Sequence, residues 1–134
     1  MKEIQNYING KFQPPVKGRT IDDINPATGE IIGTVPASTS DDVQQAVDAA
    51  NGARTAWASL TIDERVSWLD KIANSLESQS EEIASLESLD TGKPISLARA
   101  VDAARSVTNF RFFAKFAKDY TNEKFEMEDA VNHV

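Results

Sequence analysis

Apolar positions change period once along this chain. From Asn6 to Pro36 they alternate in short runs cut by turn residues; from Thr39 onward they recur every three or four residues. In "NYINGKF" the pair Asn9-Gly10 stands between Tyr7-Ile8 and Lys11-Phe12, and both residues tolerate positive φ, so a tight β-hairpin is predicted. In "INPATGEIIGTVP" Pro26 and Gly29 bracket a turn, and the β-branched run from Glu30 to Val35 stops at Pro36. Two small hairpins over 6–36 are marginal in water and must lie on something larger.

The helical period predicts four helices over 40–118. Thr39 or Ser40 caps the first, with Asp41 and Asp42 in its first turn and Val43, Ala46, Val47, Ala50, Ala53 and Trp57 along one side. Thr61 and Glu64 form a capping box for the second, backed by Val66, Leu69, Ile72, Ala73 and Leu76. Ser78 and Glu81 repeat that box for a third, with Ile83, Leu86 and Leu89 inside, ending at Gly92. Pro94 restarts the chain and Ser96 caps a fourth, which runs to about Lys118 and is roughly 34 Å long.

The fourth helix carries two apolar stripes. Ala100, Ala103, Val107, Phe110, Ala114 and Ala117 form one seam; Ala98, Val101, Phe112 and Phe116 lie nearly opposite, with Arg105 and Asn109 among them. Helices one to three can meet one side only. With an acidic tail, "TNEKFEMEDAVNHV", that shows no terminating signal, the chain reads as an excerpt of a larger protein.

Composition narrows the chemistry. The 134 residues are 40% hydrophobic and 26% charged, which is globular usage. Fourteen Lys and Arg against 21 Asp and Glu give a net charge of -7, which disfavours nucleic acid and anionic lipid as partners. No segment approaches the roughly 20 apolar residues that span a bilayer, so neither a membrane span nor a signal peptide is expected, and the default setting is cytoplasmic. There is no cysteine, hence no disulfide, thiolate ligand or thiol nucleophile in this chain.

Candidate chemistry is sparse. His133, the single histidine, is the penultimate residue, where chain ends fray. Asp22-Asp23, Asp41-Asp42 and Glu81-Glu82 pair carboxylates, but the last two sit in first helical turns, where the helix dipole explains them. No Gly-x-Gly-x-x-Gly or Walker-type loop occurs; "TGK" at Thr91 to Lys93 reads as a helix end, although Asp90 beside it could give a carboxylate oxygen to a cation. Arg105 leaves two readings open. Asp102, three residues earlier, is placed to pair with it; alternatively the apolar neighbours Val101 and Phe112 leave a desolvated guanidinium that seeks a bidentate anion.

The ordered set "NYINGKF", "INPATGEIIGTVP", "LDTGKP" and "NFRFFA" resembles, over essentially the whole chain, the N-terminal segment of the NAD(P)-dependent aldehyde dehydrogenase superfamily. "LDTGKPISLARAVDAARSVTNFRFFA", with the later "EKFEM", is similar to the branch that oxidises 2-hydroxymuconic and 2-aminomuconic semialdehydes. The resemblance implies an α/β parent fold in which residues 1–134 are an incomplete N-terminal part of a Rossmann-like cofactor domain. It also implies a small aldehyde substrate, NAD or NADP, and a homo-oligomeric parent. Family catalytic residues and the cofactor turn come later than the matched region, so this chain alone is expected to be inactive and to bind no cofactor. The fourth helix matches the family's substrate-tunnel helix, and Arg105 matches the arginine that holds a substrate carboxylate in the muconic branch. That branch carries a proline directly before this arginine where Ala104 stands here, which implies a straighter helix and a differently aimed side chain. Asp90 and the backbone near Asp23 and Ile24 match a monovalent cation site. The competing expectation is a truncated, non-enzymatic paralogue whose exposed seam binds a partner.

Overall fold

The computed structural model describes residues 2–120, 124–126 and 131–133, with side chains for 3–120. It opens with strands β1 (Lys2–Glu3), β2 (Asn6–Ile8), β3 (Lys11–Gln13), β4 (Thr20–Ile24) and β5 (Ile31–Pro36). β2 and β3 form the hairpin that Asn9-Gly10 predicts. Asn9 has φ 52° and Gly10 φ 75°, and across the pair the Tyr7 and Phe12 rings meet at 4.9 Å. β4 and β5 are the second antiparallel pair. Their turn is closed by Asn25, whose Oδ1 accepts from Ala27 N–H at 2.9 Å, and by Gly29 at φ 75°. A bulge falls between Asp23 and Ile24. β1, unmarked by any apolar run, adds a parallel strand to β5, giving the order β1-β5-β4.

Helices α1 (Ser40–Ala58), α2 (Ile62–Ser78) and α3 (Ser80–Thr91) follow, and the fourth helix comes in three stretches: α4 (Ile95–Leu97), a π segment (Ala98–Ala103) and α5 (Ala104–Asp119). Among the described residues the four predicted helices are observed. The Thr61–Glu64 box is present: Glu64 Oε2 accepts Thr61 N–H at 2.7 Å, and Glu64 N–H donates to Thr61 Oγ1 at 3.2 Å. The Ser78–Glu81 box does not form. Only Gln79 separates α2 from α3, so the Ser78 and Ser80 hydroxyls donate back to Ser75 and Glu77 carbonyls, and Arg99 holds Glu81. Ser96 is not the fourth cap either; Pro94 holds that position with φ -56°.

The core is thin and made of small residues. Val66 and Ala73 of α2 face Val107 and Ala114 of α5, while Ala84 of α3 meets Ala98 and Ala103 of the π segment. Ala98 therefore belongs to the buried seam, not the opposite stripe. In i→i+5 geometry residues five apart share a face, which brings Ala98 under Ala103 and leaves Ala100 exposed. The α1 stripe is exposed, Val43 at 58%, because α1 meets the rest of the chain mainly at its first turn.

Asp42 makes that junction. It is 2% exposed, not a solvated helix-end acid: Oδ2 accepts from Thr39 N–H (2.7 Å) and Thr39 Oγ1 (2.9 Å), Oδ1 from Val16 N–H (2.8 Å) and Asn6 Nδ2 (3.4 Å). Those donors hold its carboxyl below the ordinary range, the Thr39 amide first and the Val16 amide next. In the tail, β6 (Lys124–Glu126) pairs antiparallel with β7 (Val131–His133). The backbone of His133 thus sits in a strand rather than a frayed end; its side chain, with those of the rest of the "TNEKFEMEDAVNHV" stretch, is not among those described, and residues 121–123, 127–130 and 134 lie outside the described residues.

Candidate functional site

The long helix presents two unlike faces. Ala103, Val107 and Ala114 point into the core, and Arg105 stands on the opposite side with Asn109, Phe112 and Phe116. The aromatic row is open: Phe112 and Phe113 are each 59% exposed and Phe116 51%. Phe112 meets Phe113 edge-on at 5.2 Å and stacks on Phe116 at 6.1 Å, and Tyr120 continues the row at 5.7 Å. Within the described residues Arg105 is exposed, so the desolvation expected from Val101 and Phe112 is not supplied by this segment alone.

The local partner expected for Arg105 is also engaged elsewhere. Asp102 Oδ2 accepts from Lys93 Nζ at 2.8 Å, and the same ammonium holds Glu87 Oε1 at 2.7 Å. Lys93 is pushed above its ordinary pKa, by Asp102 first and Glu87 second. The other two arginines of this helix are neutralised: Arg99 on Glu81 at 2.8 Å, Arg111 on Glu77 at 2.6 Å with Asn74 at 3.2 Å. Among the described residues Arg105 has no ion pair. An exposed guanidinium without an ion pair can take a planar anion bidentately.

A second feature lies between the sheet and α3. A cavity of about 390 Å³ has Ile4, Ile32, Leu86 and Leu89 in its wall, together with Asp23 and Asp90. Two of the three residues expected at a cation site are therefore brought to one cavity; Ile24, next along β4, is not in that wall. Glu87 also lines it, already engaged by Lys93, and the described residues contain no cluster of three or more acidic, histidine or cysteine side chains able to hold a metal. At the rim of the helix end, Gly92 adopts φ 71° against the Pro26-Ala27 turn. Among the described residues no helix is long and apolar enough to cross a membrane.

Antiparallel strand pairs leading into helices place the segment in the α/β class. More narrowly, the chain belongs to the aldehyde dehydrogenase family, whose sequence profile matches residues 12–134. It is 40% identical over 128 residues to the 2-hydroxymuconic semialdehyde dehydrogenase of Pseudomonas sp. (strain CF600), covering 95% of this chain and 26% of that protein. It is 42% identical over 125 residues to the 2-aminomuconic semialdehyde dehydrogenase of Homo sapiens, covering 93% and 25%. Among solved structures, a putative aldehyde dehydrogenase from Burkholderia cenocepacia superposes with TM-score 0.88 at 37% identity, over 97% of this chain and 27% of that one. The NAD+ complex of the Bacillus cereus aldehyde dehydrogenase gives 0.88 at 33% identity, over 98% and 28%. The chain spans about a quarter of the length of the relatives it matches.

Proposed function

We propose that residues 1–134 form the N-terminal part of the cofactor domain of an NAD(P)-dependent aldehyde dehydrogenase that oxidises an anionic, muconic-type semialdehyde to the acid, and that Arg105 holds the substrate carboxylate. One observation carries the reading: of the three arginines on the long helix, Arg105 alone has no ion pair among the described residues, and it shares the exposed helix face that carries Phe112 and Phe116. The names of the muconic semialdehyde dehydrogenases to which the chain is similar support it. The π segment bears on the Ala104 departure. It ends at Ala103, two positions before Arg105, and interrupts the α-helical ladder there without a proline, which supports an aim for Arg105 that differs from that of an unbroken α-helix.

NAD in the whole enzyme is part of this proposal, where it would accept the hydride from the oxidised carbon. This chain offers neither a thiol nor a Gly-x-Gly-x-x-Gly turn, so no catalytic step is assigned to its residues. Asp90, with backbone oxygens near Asp23 and Ile24, would supply part of the oxygen shell of a monovalent cation. A homo-oligomeric, cytoplasmic parent completes the reading.

In the whole enzyme, Arg105→Ala should lower kcat/KM for a carboxylate-bearing semialdehyde by roughly thirtyfold or more, as expected for removing one partner of a desolvated charge pair, and leave uncharged aldehydes nearly unaffected. Equal losses on both substrates would return Arg105 to a surface role. The alternative, a non-enzymatic interaction module, draws on the exposed Phe112–Phe113–Phe116 row. A reading frame that continues into a cysteine-bearing segment decides against it.

A further inference from the structure

Asp102 lies three positions before Arg105, the spacing at which carboxylate and guanidinium on one helix ordinarily meet. They do not meet in this structure, and a residue from outside the helix holds the carboxylate instead. Lys93 belongs to the turn after α3 and reaches nine positions ahead to Asp102, while Glu87 on α3 steadies the same ammonium. Its backbone is fixed as well: Ser88 Oγ donates to Lys93 O at 2.7 Å, and the left-handed Gly92 sets the direction in which the chain leaves α3. Lys93 and Asp102 are both half-buried, so this ion pair is more enclosed than those of Arg99 or Arg111.

We propose that Lys93 is a positioning residue for substrate specificity: by holding Asp102, it keeps that carboxylate off Arg105 and leaves the guanidinium open to an external carboxylate. The proposal rests on the reading of Arg105 as the carboxylate clamp. An intramolecular anion on Arg105 would have to be displaced before substrate could bind, weakening apparent affinity by the fraction of time the arginine is occupied. Exposed pairs at this spacing are weak, so the expected penalty is about two- to threefold.

The test uses the whole dehydrogenase carrying this segment, with a carboxylate-bearing semialdehyde and an uncharged aldehyde of similar size. Lys93→Met frees Asp102 and should raise KM for the charged substrate about two- to threefold, with kcat and the uncharged substrate unchanged; Lys93→Arg should restore the parent value. Asp102→Asn breaks the same ion pair from its other end but leaves no competitor, so selectivity for the charged substrate should stay at or above the parent's. A merely structural ion pair would give the same loss from both ends.

The double variant separates sequestration from a long-range effect of the lysine's charge. Under sequestration, Lys93→Met has no further effect on selectivity in the Asp102→Asn background; a field effect costs the same in either background. Arg105→Ala supplies the baseline: if it fails to discriminate the two substrates, the clamp reading itself is wrong. If it discriminates while Lys93→Met leaves the ratio of the two substrates unchanged, or lowers it equally with and without Asp102→Asn, the clamp stands and the present proposal is overturned. Should Lys93→Met not fold, Asp102→Asn decides alone, since a loss of charged-substrate selectivity there contradicts sequestration.

Discussion

Gly92 is the position where one methyl group should do the most damage for its size. Two separate costs meet there. Its φ of 71° is left-handed, which costs a non-glycine residue about 1–2 kcal/mol. A Cβ at this site would also lie 2.9 Å from Pro26 Cγ and 3.0 Å from the Ala27 backbone nitrogen, and the latter belongs to the Asn25-capped turn and cannot swing aside. Overpacking of that kind costs a further 1–3 kcal/mol or so, putting Gly92→Ala at about 2–5 kcal/mol. Gly29 is the matched control: φ 75°, with nothing within 4 Å of an added Cβ, so Gly29→Ala should show the conformational cost alone. Gly92→Asn should recover part of the conformational cost and keep the clash, since asparagine tolerates left-handed backbone. Urea unfolding followed by far-UV circular dichroism and by Trp57 and Trp68 fluorescence would read all three. If Gly92→Ala costs no more than Gly29→Ala, the close approach of the α3 end to the β4–β5 turn is wrong.

Asp42 should make stability acid-sensitive. Its folded pKa lies below the ordinary 3.8, so its contribution is complete above that value and is lost as pH falls through 3.8 toward the lower folded pKa. Asp42→Asn places an amide NH₂ against donors whichever way it turns, so it should destabilise at neutral pH and approach the parent as pH drops; a urea-midpoint difference that is flat across pH contradicts the clamp. Deleting Ala100 should convert the π segment to α-helix while keeping Ala98 and Ala103 on one face, at a cost of about 1 kcal/mol, whereas deleting the exposed Asn109, between the buried Val107 and Ala114, turns Ala114 roughly 100° out of the seam and should cost several times more. Equal effects of the two deletions on thermal unfolding would count against the phase argument.

Local signals are legible wherever a residue's own backbone preference decides the outcome. Asn9-Gly10, Gly29 and Gly92 sit where positive φ demands, and Thr61 and Glu64 satisfy each other across one turn. Non-local pairing is not legible. β1 has two residues and no apolar run, and its parallel partner β5 lies some thirty positions away. The stripe on α1 is apolar as its period says, yet it is uncovered, because periodicity shows which face seeks a partner without showing whether this chain provides one.

The candidate site divides along the same line. Opposition of Arg105 to Val107 and Ala114 follows from 3.6 residues per turn, so its placement on the open face is readable in advance. The fate of Asp102 is not, since helical spacing names Arg105 as its partner and only the return of the chain after Gly92 brings Lys93 within 2.8 Å. Nor is the π segment, since Ala98, Val101 and Ala103 fit an α-helical pattern until the five-residue step between two buried alanines is seen. These two features converge on one residue. The π segment gives the helix one residue more than its α-helical phase requires just before Arg105, and the Lys93 pair holds the nearest carboxylate to the side. Without an ion pair among the described residues, Arg105 is open to an outside anion, whereas Arg99 and Arg111, on the same helix and of the same chemistry, are already neutralised by Glu81 and Glu77.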